Sequence, residues 1–151
     1  MPQITARLSD GLAVKLTDGR HEWLADEPLD AGGTDLGPDP YEMLLGALAA
    51  CTCVTIAAYC RHKGYTLQSV SASLSFSRVH AEDCVDCDQS GKGVSEQIVS
   101  EVNIEGDFDD QQKKRLAQIA TRCPVHKTLA NGVRIKDHAS FTIAQESTDA
   151  G

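Results

Sequence analysis

From Met43 to Tyr59 the chain carries no charged side chain. The stretch lies inside a longer helical signal. Asp39 can cap a helix whose first residue, Pro40, has φ already fixed near the helical value and no N–H left to satisfy. Gly64 marks the end, and Arg61, His62 and Lys63 place positive charge where the helix dipole is negative. These signals predict a helix over residues 40–63. A helix that is apolar on every side must be buried on every side. A membrane could bury it, but a span needs roughly 17–25 apolar residues. The stretch sits at the short end of that range and is rich in Ala, Gly, Cys and Thr rather than Leu, so no membrane association is expected. Burial by the chain itself is difficult too. The 151 residues are enough for one domain, and aromatics make up only 5% of them, which leaves a core of Leu, Ile, Val and Ala. Packing against a second copy solves the problem, and this segment alone predicts a homodimer.

The rest of the chain reads as strands and one further helical region. Ile4, Ala6 and Leu8, then Leu12, Val14 and Leu16, alternate with polar residues. Asp10-Gly11 and Asp18-Gly19 supply turns, and Trp23 and Leu24 follow. This is the pattern of a strand meander over residues 1–26. Residues 27–40 (EPLDAGGTDLGPDP) form a loop. Strands are expected over 65–105, where Val70, Ala72, Leu74 and Phe76 alternate with serines and Ile98, Val102 and Ile104 lie on a second run. Between them lies an acidic loop bearing Cys84 and Cys87. A second helical region spans 108–131, with Asp107 or Asp109 as its cap and Leu116, Ile119, Ala120 and Cys123 at helical spacing. Pro124 either kinks it or opens a new helix capped by Cys123. Val133, Ile135, Phe141 and Ile143 suggest a C-terminal strand over 132–144. The order predicts a single α+β domain over 1–151, with antiparallel strands and helices on one face.

Lysine and arginine number 14 against 22 aspartates and glutamates, a net charge of −8. That argues against a nucleic-acid binder relying on bulk positive charge, since phosphate contacts need clustered Lys and Arg. The first residues, MPQITARLSD, lack the basic start and apolar run of a secretory signal, so a cytoplasmic location is expected. In that compartment six cysteines are thiols, metal ligands or redox centres before they are structural disulfides.

Helical geometry separates the first three. Successive residues turn by about 100°, so Cys51 and Cys53 are nearly opposite, while Cys53 and Cys60 share a face and read as packing residues. Cys123 stands in Arg122-Cys123-Pro124-Val125-His126-Lys127. A thiol at a helix start, with Arg122, His126 and Lys127 nearby, is favoured as thiolate. A sulfur that merely fills the core beside a kink fits the same segment. Cys84-Val85-Asp86-Cys87 is a CxxC suited to a reversible disulfide or half a zinc site, with His80 and either Cys123 or His126 completing the ligands. Glu82, Asp83, Asp86 and Asp88 surround it and raise thiol pKa values. Neither a metal nor a cofactor is required by the sequence. No G-x-S-x-G element places a serine nucleophile, and Cys123 with His126 lies too close in sequence for usual Cys-His hydrolase geometry.

Two segments carry a resemblance: Gly37 to Thr52 (GPDPYEMLLGALAACT) and Leu116 to Leu129 (LAQIATRCPVHKTL). Their pairing, with the element order along nearly the whole chain, resembles the OsmC/Ohr family of osmotically inducible and organic hydroperoxide resistance proteins. The loop Ala81 to Cys87 is similar to an OsmC-like subgroup. The resemblance implies antiparallel sheets wrapped around two long central helices in an intertwined homodimer. It also implies thiol-dependent reduction of organic hydroperoxides. Cys51 would be the peroxidatic cysteine, forming a sulfenic acid, and Cys123 the resolving one, closing an intramolecular disulfide that an external dithiol reopens. The family's activating arginine would be Arg20, with Arg7 second. In the peroxidases its orienting glutamate directly follows the helix-opening proline. Tyr41 stands there in this chain, and Glu42 comes one residue later, turned by about 100°. The competing expectation is a non-catalytic redox-sensing or small-molecule-binding dimer, possible also in a zinc-stabilised form.

Overall fold

A computed structural model of the chain describes residues 2–80 and 94–143. Three short strands, β1 (Thr5–Arg7), β2 (Val14–Thr17) and β3 (Glu22–Ala25), form an antiparallel meander in that order, with Leu16 opposite Trp23. A loop follows, with a single 3₁₀ turn at Leu29–Ala31. It is organised around Asp26, which is only 2% exposed. The Asp26 carboxylate accepts from the N–H groups of Glu27 (2.8 Å), Thr34 (3.2 Å) and Leu36 (3.1 Å) and from the Thr34 hydroxyl (2.6 Å). The Thr34 hydroxyl leads these donors in holding its pKa below the usual carboxylate value. The loop folds so tightly that a side chain at Gly33 would run into the carbonyl of Glu27.

Helix α1 spans Pro40–Lys63. Its start is a reciprocal capping box: the Asp39 side chain accepts from the Glu42 N–H at 2.8 Å, and the Glu42 carboxylate accepts from the Asp39 N–H at 2.9 Å. Its end is a Schellman arrangement, with Gly64 left-handed at φ 70°, its N–H on the Arg61 carbonyl, and the Tyr65 N–H on that of Cys60. Between these ends only one stripe is buried within the chain, namely Leu48, Thr52, Ile56 and Cys60. Val54, on another side, is 66% exposed. By length and composition α1 could cross a membrane, but its buried stripe lies against the chain's own strands and helices.

Strands β4 (Thr66–His80) and β5 (Val94–Asp107) form a long antiparallel ribbon. Val70 faces Ile104 and Ala72 faces Val102, while Ser71 pairs Asn103 and Ser73 pairs Glu101 on the opposite, exposed side. The period of two thus sorts apolar residues toward α1 and serines toward solvent. Helix α2 (Asp110–Ala120) begins with a second capping box, Asp109 with Gln112. It places Leu116 and Ile119 against Ile56 and Cys60, and Tyr59, Tyr65, Val70, Val102, Ile104 and Phe108 complete this core. Arg115 pins α2 to α1: its guanidinium lies 5.6 Å from the Tyr59 ring centre and donates to the Tyr59 hydroxyl at 3.1 Å. Helix α3 (Pro124–Asn131) is a separate helix with Cys123 as its N-cap, which decides between the two roles open to Pro124.

One expected element is missing. Residues 132–143 have no regular secondary structure in this chain, although a C-terminal strand was expected over 132–144. The alternation is present in the sequence, but a strand needs a neighbouring ladder, and this segment has none among the described residues. Its apolar side chains stay out of the core: Val133 is 67%, Ile135 75%, and Phe141 and Ile143 96% exposed. The Cys84/Cys87 loop lies outside the described residues, as do the side-chain surroundings of His80, so the zinc-site expectation falls there too. Among the described residues, no cluster of three or more potential metal ligands forms.

Candidate active site

The site grows from the break between α2 and α3. Helix α2 ends at Ala120 with Thr121 as its C-cap, and Pro124 can open a new helix only because its missing N–H falls where the first turn has no partner for one. Cys123 therefore becomes an N-cap, with extended backbone and a side chain turned toward the free N–H groups of the next turn. Its sulfur accepts from the His126 N–H at 3.2 Å. It is also completely buried, at 0% exposure, because the break presses it against the buried stripe of α1. There the Thr52 hydroxyl donates to the same sulfur at 3.7 Å. The Cys51 thiol lies near enough to help lower its pKa.

These contacts set the charge state. Burial pushes the Cys123 thiol up, and the donors outweigh it: the His126 N–H, the Thr52 hydroxyl, the Cys51 thiol and the Val125 N–H together bring its pKa below the ordinary value of 9.0. Cys60, 1% exposed among apolar side chains, shows what burial does alone, which is to raise the thiol pKa. Cys51 and Cys53 are half-buried. One buried, anion-stabilised sulfur thus stands beside one partly accessible thiol. Two thiols in such contact can be joined by removing two electrons and two protons.

Two cavities open on this corner. One, of about 470 Å³, runs between α1, α2 and β5 and is lined by Leu48, Thr52, Val102, Leu116 and Ala120 among others. The other, of about 530 Å³, lies toward the start of α1, between Tyr41, Leu44, Phe76 and Leu129. Leu48, Ser100 and His126 line both.

The remaining candidates lie elsewhere. Glu42 is engaged in the α1 capping box. Arg20 sits in the exposed β2–β3 turn, where the Asp18 carboxylate accepts from the N–H groups of Arg20 (2.8 Å) and His21 (2.7 Å). Among the described residues no hydrogen bond or ion pair links Arg20, Arg7 or Glu42 to either cysteine. Tyr41 packs its ring on Phe76, centroids 4.6 Å apart. Arg78 approaches the Tyr41 hydroxyl and is fixed by Glu96 at 3.2 Å, which leads in holding its pKa up.

Sequence reasoning missed Thr52, Arg78 and Asp26. Thr52 left a signal: Leu48, Thr52, Ile56 and Cys60 recur every fourth residue, and a hydroxyl on a buried stripe needs a partner. Arg78 left none, because its contact with Glu96 depends on strand register.

The family model described as OsmC-like protein matches residues 32–137. No curated protein matches the chain. Among solved structures, an OsmC-like protein from Mycoplasma pneumoniae is 22% identical with a TM-score of 0.67, covering 86% of this chain and 87% of that one. An organic hydroperoxide resistance protein OsmC from Legionella pneumophila is 20% identical with a TM-score of 0.59, over 84% and 87%. An organic hydroperoxide resistance protein from Elizabethkingia anophelis is 19% identical with a TM-score of 0.57, over 85% and 87%. At these identities the likeness is one of fold.

Proposed function

The chain belongs to the OsmC-like protein family, and from that premise we propose that it reduces organic hydroperoxides with a pair of thiols, working as a cytoplasmic homodimer. In this reading the Cys51 thiolate attacks the O–O bond of the peroxide. The S–O bond forms, the alcohol leaves after taking a proton, and Cys51 becomes a sulfenic acid. Cys123 then displaces water from Cys51 to close a disulfide, and an external dithiol reopens it by exchange. The observation that carries the reading is the contact between Cys51, partly accessible, and the buried sulfur of Cys123. The largely apolar walls of the two adjoining cavities suit the organic part of such a peroxide. Arg20 is the proposed activating cation, and Glu42 supports the cysteine helix through its cap.

The unfilled sides of α1 and the exposed segment 132–143 support the homodimer, and a sedimentation mass of one chain would count against it. Activity is tested by following consumption of an organic hydroperoxide with a small dithiol present. Turnover that disappears in Cys51→Ser is expected. Binding of hydroperoxide or oxidation of the thiols without turnover would favour the non-catalytic redox-sensing reading instead.

A further inference from the structure

Thr52 has no role in the chemistry just described, yet the fold holds it in an unusual way. It is 3% exposed, and with Asp26 it is one of two buried polar residues among those described. A threonine inside a helix ordinarily returns its hydroxyl to a carbonyl one turn back. The Thr52 hydroxyl instead leaves its own helix and donates to the sulfur of Cys123, 71 residues away in sequence. That sulfur has no exposed surface, so water cannot stabilise its anion, and protein donors must do so. One donor, the His126 N–H, belongs to the backbone of α3. Another belongs to the residue that directly follows Cys51. The helical turn that carries the attacking sulfur therefore also carries a donor for the sulfur that must meet it.

We propose that Thr52 is a positioning residue for disulfide closure: its hydroxyl holds the Cys123 sulfur as an anion aimed at Cys51. This rests on the peroxidase reading above. In the closing step the Cys123 thiolate attacks the sulfur of the Cys51 sulfenic acid. The S–S bond forms, the S–O bond breaks, and hydroxide leaves and is protonated to water. The electrons from the two sulfurs have by then reduced one hydroperoxide to its alcohol, so no further oxidant is needed. The same hydroxyl serves the return step. When an external dithiol attacks Cys51, Cys123 is the leaving group, and a stabilised thiolate leaves faster. Oxidation of Cys51 by the peroxide needs no hydrogen bond from the Thr52 hydroxyl to Cys123.

The test compares Thr52→Val, which keeps the shape and removes the hydroxyl, with Thr52→Ser, which keeps the hydroxyl. Thr52→Ala stands in for the valine variant if that fails to fold, since it shares the lost methyl with Thr52→Ser. In a single turnover with cumene hydroperoxide, Thr52→Val should still oxidise Cys51 to its sulfenic acid. It should close the disulfide about tenfold more slowly, so that dimedone traps a Cys51 sulfenic acid the wild type does not accumulate. Thr52→Ser should restore closure. In the Cys51→Ser background, the ultraviolet thiolate absorbance that Cys123 contributes, read as the difference from the Cys51→Ser/Cys123→Ser variant, should appear at higher pH with Thr52→Val and return with Thr52→Ser. Wild-type closure together with an unmoved thiolate titration in Thr52→Val would overturn the proposal. If the wild type itself forms no sulfenic acid, the peroxidase reading falls, and the thiolate titration alone decides the role of Thr52: a shift supports it and no shift overturns it.

Discussion

Helix α1 meets two buried cysteines along one stripe. Cys60 lies near its C-terminal end among Ile56, Leu116 and Ile119, and Cys123 reaches in from the start of α3 opposite Thr52. Both are almost wholly inaccessible, at 1% and 0% exposure. They differ in what surrounds the sulfur. Cys60 has an apolar environment, and its thiol pKa is raised. Cys123 has a backbone N–H, a hydroxyl and a thiol directed at it, and its pKa is lowered. Burial therefore does not by itself make a cysteine inert. A helix break that supplies donors turns the same depth of burial into anion stabilisation.

The contrast can be broken by mutation. The largest effect is expected from Cys123→Ser, which should reduce dithiol-dependent hydroperoxide turnover to background. Cys60→Ala should leave turnover at the wild-type level, as steady-state assays of both variants would show. Next comes the core around Cys60. Ile56→Ala should cost about 2–5 kcal/mol by urea denaturation, since Ile56 is fully buried and its cavity is bounded by two helices and the ribbon.

A subtler effect concerns pH. A thiol whose folded pKa is depressed adds stability as pH rises, because the folded state loses its proton first. The contribution of Cys123 is absent below its folded pKa and complete above the ordinary value of 9.0. Cys60 has the opposite sign: its stability contribution is lost as pH climbs past 9.0 toward its raised folded value. Denaturation midpoints across this range should lose the rise in Cys123→Ser and lose the fall in Cys60→Ala. The smallest effect is expected at the far end of α1. Asp39→Ala should cost about 1 kcal/mol through the lost capping box while leaving the thiolate titration of both cysteines unchanged.

Much of the fold was legible in the sequence because its signals are local. Asp39, Pro40 and Gly64 stand at the ends of α1, and the serine alternation of β4 sorts its two faces. The α+β class follows from that order of elements. The site was legible only in part. Cys51 and Cys123 came together through a family resemblance, since neither a helical wheel nor a spacing rule says which face of α1 meets the start of α3. Thr52 was hidden for the same reason, despite its place on the buried stripe. Asp26 was hidden because its partners come from a loop that folds back on itself. The segment 132–143 misled in the opposite direction: Val133, Ile135, Phe141 and Ile143 carry the alternation of a strand, but alternation cannot supply the neighbour that a strand requires.

The central claim is that Cys51 and Cys123 form one redox unit while Cys60 remains outside it. The most direct measurement is peptide mapping by mass spectrometry after one equivalent of organic hydroperoxide. A Cys51–Cys123 disulfide with Cys60 still a free thiol is expected. Cys51 and Cys123 both remaining free thiols, or a disulfide that includes Cys60, would contradict the account.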